Sequence, residues 1–205
     1  MNLIKINTEK LAELVGILLG DGYLSSSTNR VKISFNSKDD VEYISYVNNL
    51  LVELFDVKPI LKQRVNENTA ELYIFKRDII RFLINNVGMK VSPKWNNAVI
   101  PSQFLSSKLD LQVLRGYFDT DGCLVTANNN GTIYPRLEMK VSPSPMQKQF
   151  IAILKKYKFS FGVYQIGDGK VRIQLNGKPQ LEKWIKSVGF SNQKHIDKIS
   201  RFIEV

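Results

Sequence analysis

The sequence is poor in the residues from which disulfides and zinc sites are made. Its 205 residues contain one cysteine, Cys123, and one histidine, His195. A lone cysteine excludes an intramolecular disulfide and a cysteine-based zinc cluster, and it suits a reducing intracellular compartment, cytoplasmic or organellar. A lone histidine argues against nucleases built on several histidine ligands. No apolar run approaches the roughly 18 residues needed to span a bilayer, and the N-terminus lacks a signal-peptide pattern. Acidic residues are also in short supply, 19 Asp and Glu against 29 Lys and Arg, for a formal net charge of +10. That surplus points to a polyanionic partner, and without a membrane segment a soluble protein meeting nucleic acid is the simpler reading. Carboxylates and lysines are left to carry any chemistry.

Two stretches organise what is present: LVGILLGDG at Leu14 to Gly22 and LRGYFDTDG at Leu114 to Gly122. Small residues four apart, Gly16 with Gly20 and Gly116 with Thr120, share one helical face where two backbones can approach closely. Each stretch ends in Asp-Gly, with the glycine read as a helix stop that leaves Asp21 and Asp121 at the helix ends. A single Asp-Gly is ordinarily no more than a turn. Two copies one hundred residues apart predict a helix pair with the acids brought together. Carboxylates so placed repel unless one is protonated or a cation lies between them, and a hard divalent ion is the natural resident.

The chain resembles the LAGLIDADG homing endonucleases in their single-chain, two-motif form. Against that nine-residue pattern Gly16 and Gly116 match the third position, Asp21 and Asp121 the eighth, and Gly22 and Gly122 the ninth. The sixth position is acidic only in the second copy, as Asp119, and is Leu19 in the first. The resemblance implies Mg2+ (or Mn2+) at Asp21 and Asp121, with the backbone carbonyls of Gly20 and Thr120 as further ligands, and each half cutting one strand.

Hydrophobic periodicity supports this with an element order that runs twice. In the first half a helix from Thr8 to Gly20, with Thr8 as N-cap, precedes a hairpin of Tyr23 to Ser27 and Arg30 to Asn36. Asp39 or Asp40 caps a helix to Phe55 whose buried stripe is Val41, Ile44, Val47, Leu51 and Leu54. Strands near Val57 to Val65 and Ala70 to Phe75 follow, then a helix over Asp78 to Asn86. Met89 to Ser107, polar and containing Pro93 and Pro101, reads as a linker with one short helical turn. The order then restarts with a helix at Leu109 to Thr120 and strands at Cys123 to Ala127 and Ile133 to Ser142. A helix at Met146 to Lys158, strands at Phe161 to Ile166 and Lys170 to Leu175, and a helix at Gln180 to Val188 complete it. The expected architecture is α+β: two pseudo-symmetric αββαββα halves, residues 1–100 and 101–205, forming a saddle of antiparallel sheets around a central helix pair.

Alternation along the strands puts Arg30, Lys32, Ser34, Lys62, Arg64, Arg136, Lys140, Arg172 and Gln174 on the outward sheet faces. Such a surface suits a duplex, with Arg and Gln reaching base edges and Lys neutralising phosphates. Lys94 and Lys194, by their place in the repeat, resemble the basic residue the family sets beside each scissile phosphate. Lys38 is a second candidate in the first half, whereas its counterpart region Ser142-Pro143-Ser144 has no lysine. His195 reads as a structural residue or a phosphate contact, and Cys123 as a small packing residue.

These readings converge on a free-standing monomer that makes a metal-dependent, staggered double-strand cut at a long pseudo-palindromic DNA site. An RNA-binding intron maturase and a non-cutting DNA-binding regulator are the alternatives.

Overall fold

The structure, a computed structural model, describes residues 6–202. The first motif forms α1 (Thr8–Leu19), followed by β1 (Gly22–Ser25), β2 (Arg30–Asn36), α2 (Val41–Phe55), β3 (Ile60–Gln63), β4 (Thr69–Ile74) and α3 (Arg77–Arg81), which runs on as a wide helical turn at Phe82–Asn86. A single 3-10 turn at Ser102–Phe104 precedes the second motif helix α4 (Leu109–Asp121). Then come β5 (Gly122–Asn129), β6 (Thr132–Val141), α5 (Pro145–Lys156), β7 (Gly162–Gln165), β8 (Val171–Asn176), α6 (Lys178–Ser187) and α7 (Gln193–Ile199). The strands make two four-stranded antiparallel sheets of the same winding, β1-β2-β4-β3 and β5-β6-β8-β7. The α+β expectation, two like-built sheets flanking a central helix pair, is what the chain adopts.

The period-2 pattern of β2 explains how its sheet sits. Val31, Ile33 and Phe35 are buried while Arg30, Lys32 and Ser34 stay partly exposed on the other face. In β6 Leu137, Met139 and Val141 are buried, and Arg136, Glu138 and Lys140 face outward. Tyr43, Val47, Leu50, Leu51 and Leu54 of α2, and Phe150, Ile153 and Leu154 of α5, belong to the same buried apolar cluster as these strand residues. Burial on this scale, at about 25 cal/mol per Å² of apolar surface, is the main force holding the helices to the sheets.

Several local expectations are corrected. Asn7, not Thr8, caps α1: its Oδ1 accepts from the N–H groups of Glu9 and Lys10 at 3.0 and 3.1 Å. Val41 is 57% exposed, so the buried stripe of α2 starts at Tyr43 and Ile44. The segment between the halves is no loose linker, because Met89, Ala98, Ile100 and Phe104 are buried. Its backbone also bonds to the second half: Asn96 N–H to the Pro143 carbonyl (2.7 Å), and Met146 N–H to the Ala98 carbonyl (3.1 Å). Helix α7 had no counterpart in the sequence reading. Cys123 pairs across the strands with Glu138, which puts it partly exposed on the polar face and not in the core.

Candidate active site at the paired helix ends

Helices α1 and α4 pack backbone to backbone, and their glycines are what allow it. A Cβ at Gly16 would lie 2.1 Å from the Val113 carbonyl oxygen, and one at Gly116 would lie 2.1 Å from that of Glu13. One turn on, a Cβ at Gly20 would lie 2.0 Å from the Thr120 hydroxyl and 3.4 Å from an Asp121 carboxylate oxygen. The seam therefore stays closed to its end, where both acids emerge.

The glycines after them act differently from the stop expected in the sequence. Neither Gly22 nor Gly122 has a positive φ. Each is needed for close approach, because a Cβ at Gly22 would lie 2.5 Å from Leu18 Cα and one at Gly122 2.5 Å from the Phe118 ring. Asp121 is itself the last residue of α4.

Asp21 and Asp121 are open to solvent on one side and crowded by protein on the other. Burial pushes both carboxyls above the usual carboxylate range. In Asp121 the neighbouring Asp21 charge adds to this and brings it to about 6, against the pull of Lys94 and Lys194. Mutual repulsion of this kind favours a bound cation.

One cation is already drawn to this edge. The Lys94 ammonium donates to the carbonyls of Leu18 (3.3 Å), Leu19 (3.0 Å) and Gly20, the unpaired and electronegative end of α1. Burial lowers the Lys94 pKa, and Asp121 and Asp21 oppose that. Lys94, Gly20, Tyr117, Asp121 and Ser142 line a small cavity of about 90 Å³. The Thr120 hydroxyl turns back to the Gly116 and Tyr117 carbonyls, while its own carbonyl belongs to the last turn of α4.

Two carboxylates with helix-terminal carbonyls form an all-oxygen donor set, the kind that hard divalent ions such as Mg2+ and Mn2+ take. No cluster of three or more His, Cys, Asp or Glu occurs among the described residues. A divalent ion here would complete its shell with water and phosphate oxygens. On these grounds the residues fit the metal the motif implies.

The two lysines are not equivalent. Lys194, at the start of α7, forms an ion pair with Asp40 Oδ1 at 2.8 Å, and Asn192 Nδ2 donates to the same oxygen at 2.9 Å. Asp40 Oδ2 accepts from Asn36 N–H at 3.0 Å. Although it sits at the N-cap of α2, Asp40 makes no side-chain capping bond. The sequence does not reveal this role, since Asn192 and Lys194 lie more than 150 positions from Asp40. Lys38 is exposed and lines a larger cavity of about 490 Å³ with Asn192, Lys194, Lys198 and Arg201.

Behind the acids the seam is polar. Glu13, 1% exposed, accepts from Arg115 (2.6 Å), Tyr46 (2.9 Å) and the Ser191 hydroxyl (2.6 Å). Asp119 is fully buried and accepts from Ser191 N–H at 2.6 Å, and burial raises its pKa to about 8. The sixth-position acid therefore ties the segment leading to Lys194 onto α4 and does not face the cleft.

His195 is fully buried against Phe118 and Phe190, which rules out phosphate contact. Neither ring nitrogen has a hydrogen-bond partner among the described residues. Burial, with Lys194 and Lys198 nearby, depresses its pKa from 6.5 to about 3. Below pH 6.5 the unfolded chain takes up a proton that the folded chain refuses. The contribution of His195 to folding stability is therefore lost as pH drops from 6.5, by up to about 1.4 kcal/mol per pH unit, while the raised carboxyls of Asp119 and Asp121 act in the opposite sense. Denaturant titrations of the unmodified protein and of His195→Phe at pH 7 and pH 5 check this: relative to the unmodified protein, the variant should gain stability as pH falls.

The sheet residues Arg30, Lys32, Ser34, Lys62, Arg136, Lys140, Arg172 and Gln174 all lie on the polar faces of the two sheets, and Arg64 follows β3 directly. The register confirms the shared face by pairing Lys140 with Arg172 and Glu138 with Gln174.

A seam of two short helices, acids at its open end and a polar-faced antiparallel sheet on either side define a pseudo-twofold α+β protein with one composite site. The chain belongs to the LAGLIDADG DNA endonuclease family, whose model matches residues 12–181. It is 24% identical over 207 residues to the replication factor C small subunit of Methanocaldococcus jannaschii, a match covering 96% of this chain and 10% of that protein. The chain thus spans about a tenth of the length of that curated relative. Among solved structures it is similar to the homing endonuclease I-WcaI bound to its DNA recognition sequence (TM-score 0.61, 17% identity, 98% of this chain and 88% of that one). It is also similar to I-DmoI in complex with DNA and Mn (TM-score 0.60, 14% identity, 91% and 99%). At these identities the likeness is one of fold. No helix among the described residues is long and apolar enough to cross a membrane.

Proposed function

We propose that this chain is a divalent-metal-dependent DNA endonuclease that cuts both strands of a long, pseudo-palindromic site, as a monomer whose halves, residues 1–100 and 101–205, each serve one half-site. The observation that carries the reading is the convergence of Asp21 and Asp121 at the end of a seam too tight to admit a Cβ. A chain that only bound nucleic acid would gain nothing from two mutually repelling carboxylates there.

The two polar sheet faces lie along the duplex, their Lys and Arg side chains neutralising phosphates. Asp21 and Asp121, with the Thr120 carbonyl and with the Gly20 carbonyl once the Lys94 ammonium gives it up, would hold Mg2+ or Mn2+. The ions supply an activated water and charge stabilisation at the scissile phosphate. Lys94 and Lys194 both lie near enough to the acids to lower their pKa values, a position in which an ammonium group offsets charge developing on the phosphoryl oxygens. Asp40 keeps Lys194 in that position, and the Leu18 and Leu19 carbonyls do the same for Lys94. Lys38 reaches the backbone at the edge of the larger cavity.

The test is cleavage selection from a plasmid library carrying random inserts, with Mg2+ and with EDTA. Linear product sharing one insert motif with Mg2+, and none with EDTA, is expected. Equal product in EDTA, or binding of RNA alone with no duplex retained, would overturn the proposal.

A further inference from the structure

Each polar sheet face, basic elsewhere, carries one carboxylate at its centre, and the two occupy non-equivalent positions. Gly22 pairs with Ile33 and Gly122 with Met139, which aligns the two sheets. On that alignment Lys32 corresponds to Glu138. Glu71, opposite Ser34, corresponds to Arg172, opposite Lys140. The sign of charge is therefore exchanged between the halves at two matching positions.

The two carboxylates are also used differently. Glu71 uses both oxygens: Oε1 accepts from Lys32 (2.7 Å) and Arg64 (2.8 Å), and Oε2 accepts from the Tyr73 hydroxyl (2.6 Å). Arg64, Lys32 and Tyr73 hold its pKa down at about 2, so it stays ionised. Lys62 lies over the Tyr73 ring at 5.4 Å and packs the cluster from the β3 side. Glu138 uses only Oε2, which takes Gln174 Nε2 at 3.0 Å and faces Arg136 Nε at 3.2 Å. Its Oε1 has no protein donor among the described residues.

On the reading of this chain as a DNA-binding enzyme, we infer that Glu71 and Glu138 are specificity-determining residues that make the half-sites unlike. Glu71 fixes Lys32 and Arg64 as aimed donors for a guanine edge, and Glu138 presents a free acceptor to a cytosine amino group. The chemistry of the major groove supports both assignments, since Lys and Arg donate to guanine O6 and N7 and carboxylates accept from cytosine N4. A carboxylate on a face that meets phosphates is repelled by every sequence, a cost that discrimination between sequences offsets. Holding Lys32 and Arg64 on Glu71 also keeps them from binding phosphates indiscriminately.

The test is selection of a randomised duplex library in Ca2+ with the full chain, comparing the unmodified protein with Glu71→Gln, Glu138→Gln and Lys32→Met, each first checked for an unchanged melting temperature. Glu138→Gln should lose a cytosine preference of roughly 5- to 150-fold at one base pair of one half-site and leave the other half-site alone. Glu71→Gln and Lys32→Met should each lose a guanine preference in the opposite half-site. Glu71→Gln should in addition bind unselected duplex more tightly and with a steeper salt dependence, because two cations are released to phosphates. Lys32→Met guards against a fold defect in Glu71→Gln, since it removes the donor without stranding the acid's other partners. An unmodified protein that enriches a site whose base preferences all three variants reproduce would overturn this inference and leave the DNA reading intact. If the unmodified protein enriches no duplex, both fall.

Discussion

Asp21→Asn or Asp121→Asn is expected to abolish double-strand cutting, slowing it by at least about 100-fold, while duplex binding is unchanged or tighter. Each substitution keeps the shape of the side chain and removes the charge that would hold a cation. Each also removes a negative charge from a surface that meets phosphates, which is why binding should not weaken. In Asp121→Asn the remaining Asp21 loses its repelling neighbour. Removing Mg2+ from the unmodified protein should produce the same phenotype as either variant. Strand-resolved cleavage of the selected duplex beside a gel-shift titration separates the two effects, and a loss of binding equal to the loss of cutting would show that the acids serve the fold.

Gly16→Leu should act on stability first. The seam leaves no room for even a Cβ at this position, 2.1 Å from the Val113 carbonyl oxygen and 2.7 Å from the Tyr117 nitrogen. Both neighbours are backbone, so nothing can rotate away, and the helices must separate. A loss of at least about 3 kcal/mol, or about 6–12 °C in melting temperature, is expected, with cutting lost as the acids move apart. Gly131→Ala is a useful contrast: that glycine has φ +89° in the exposed β5-β6 turn and nothing within 4 Å of its Cβ position. The substitution costs only local backbone strain, about 1 kcal/mol, and leaves the seam untouched. Thermal melts of both variants check the comparison.

The parts of this fold that were legible in the sequence are those written in local periodicity. Glycines four apart with a terminal Asp marked the seam, and the alternation in Arg30 to Asn36 marked a strand with one polar face. What stayed hidden depends on partners far along the chain. Asp40 reads locally as a helix cap, and only the fold brings Lys194 and Asn192 to it. The segment after Met89 looks like a linker because its apolar residues are scattered among Pro, Ser and Lys, yet Ala98, Ile100 and Phe104 are buried, and Ala98 and Ile100 bond to Met146 and Gln149 of the second half. Helix α7 is seven residues long and buries only His195, too little for a hydrophobic stripe to register. Strand alternation marks the cations of the two sheet faces, whereas the hydrogen bonds of Glu71 and Glu138 depend on residues of other strands that no spacing rule predicts.

The most direct measurement is the position of divalent ions in crystals of the full chain with its selected duplex, grown with Mn2+ and read by anomalous scattering. Density flanked by the carboxylates of Asp21 and Asp121 and a backbone phosphate is the expected result. Ions bound elsewhere, or two carboxylates turned away from the DNA, would contradict it.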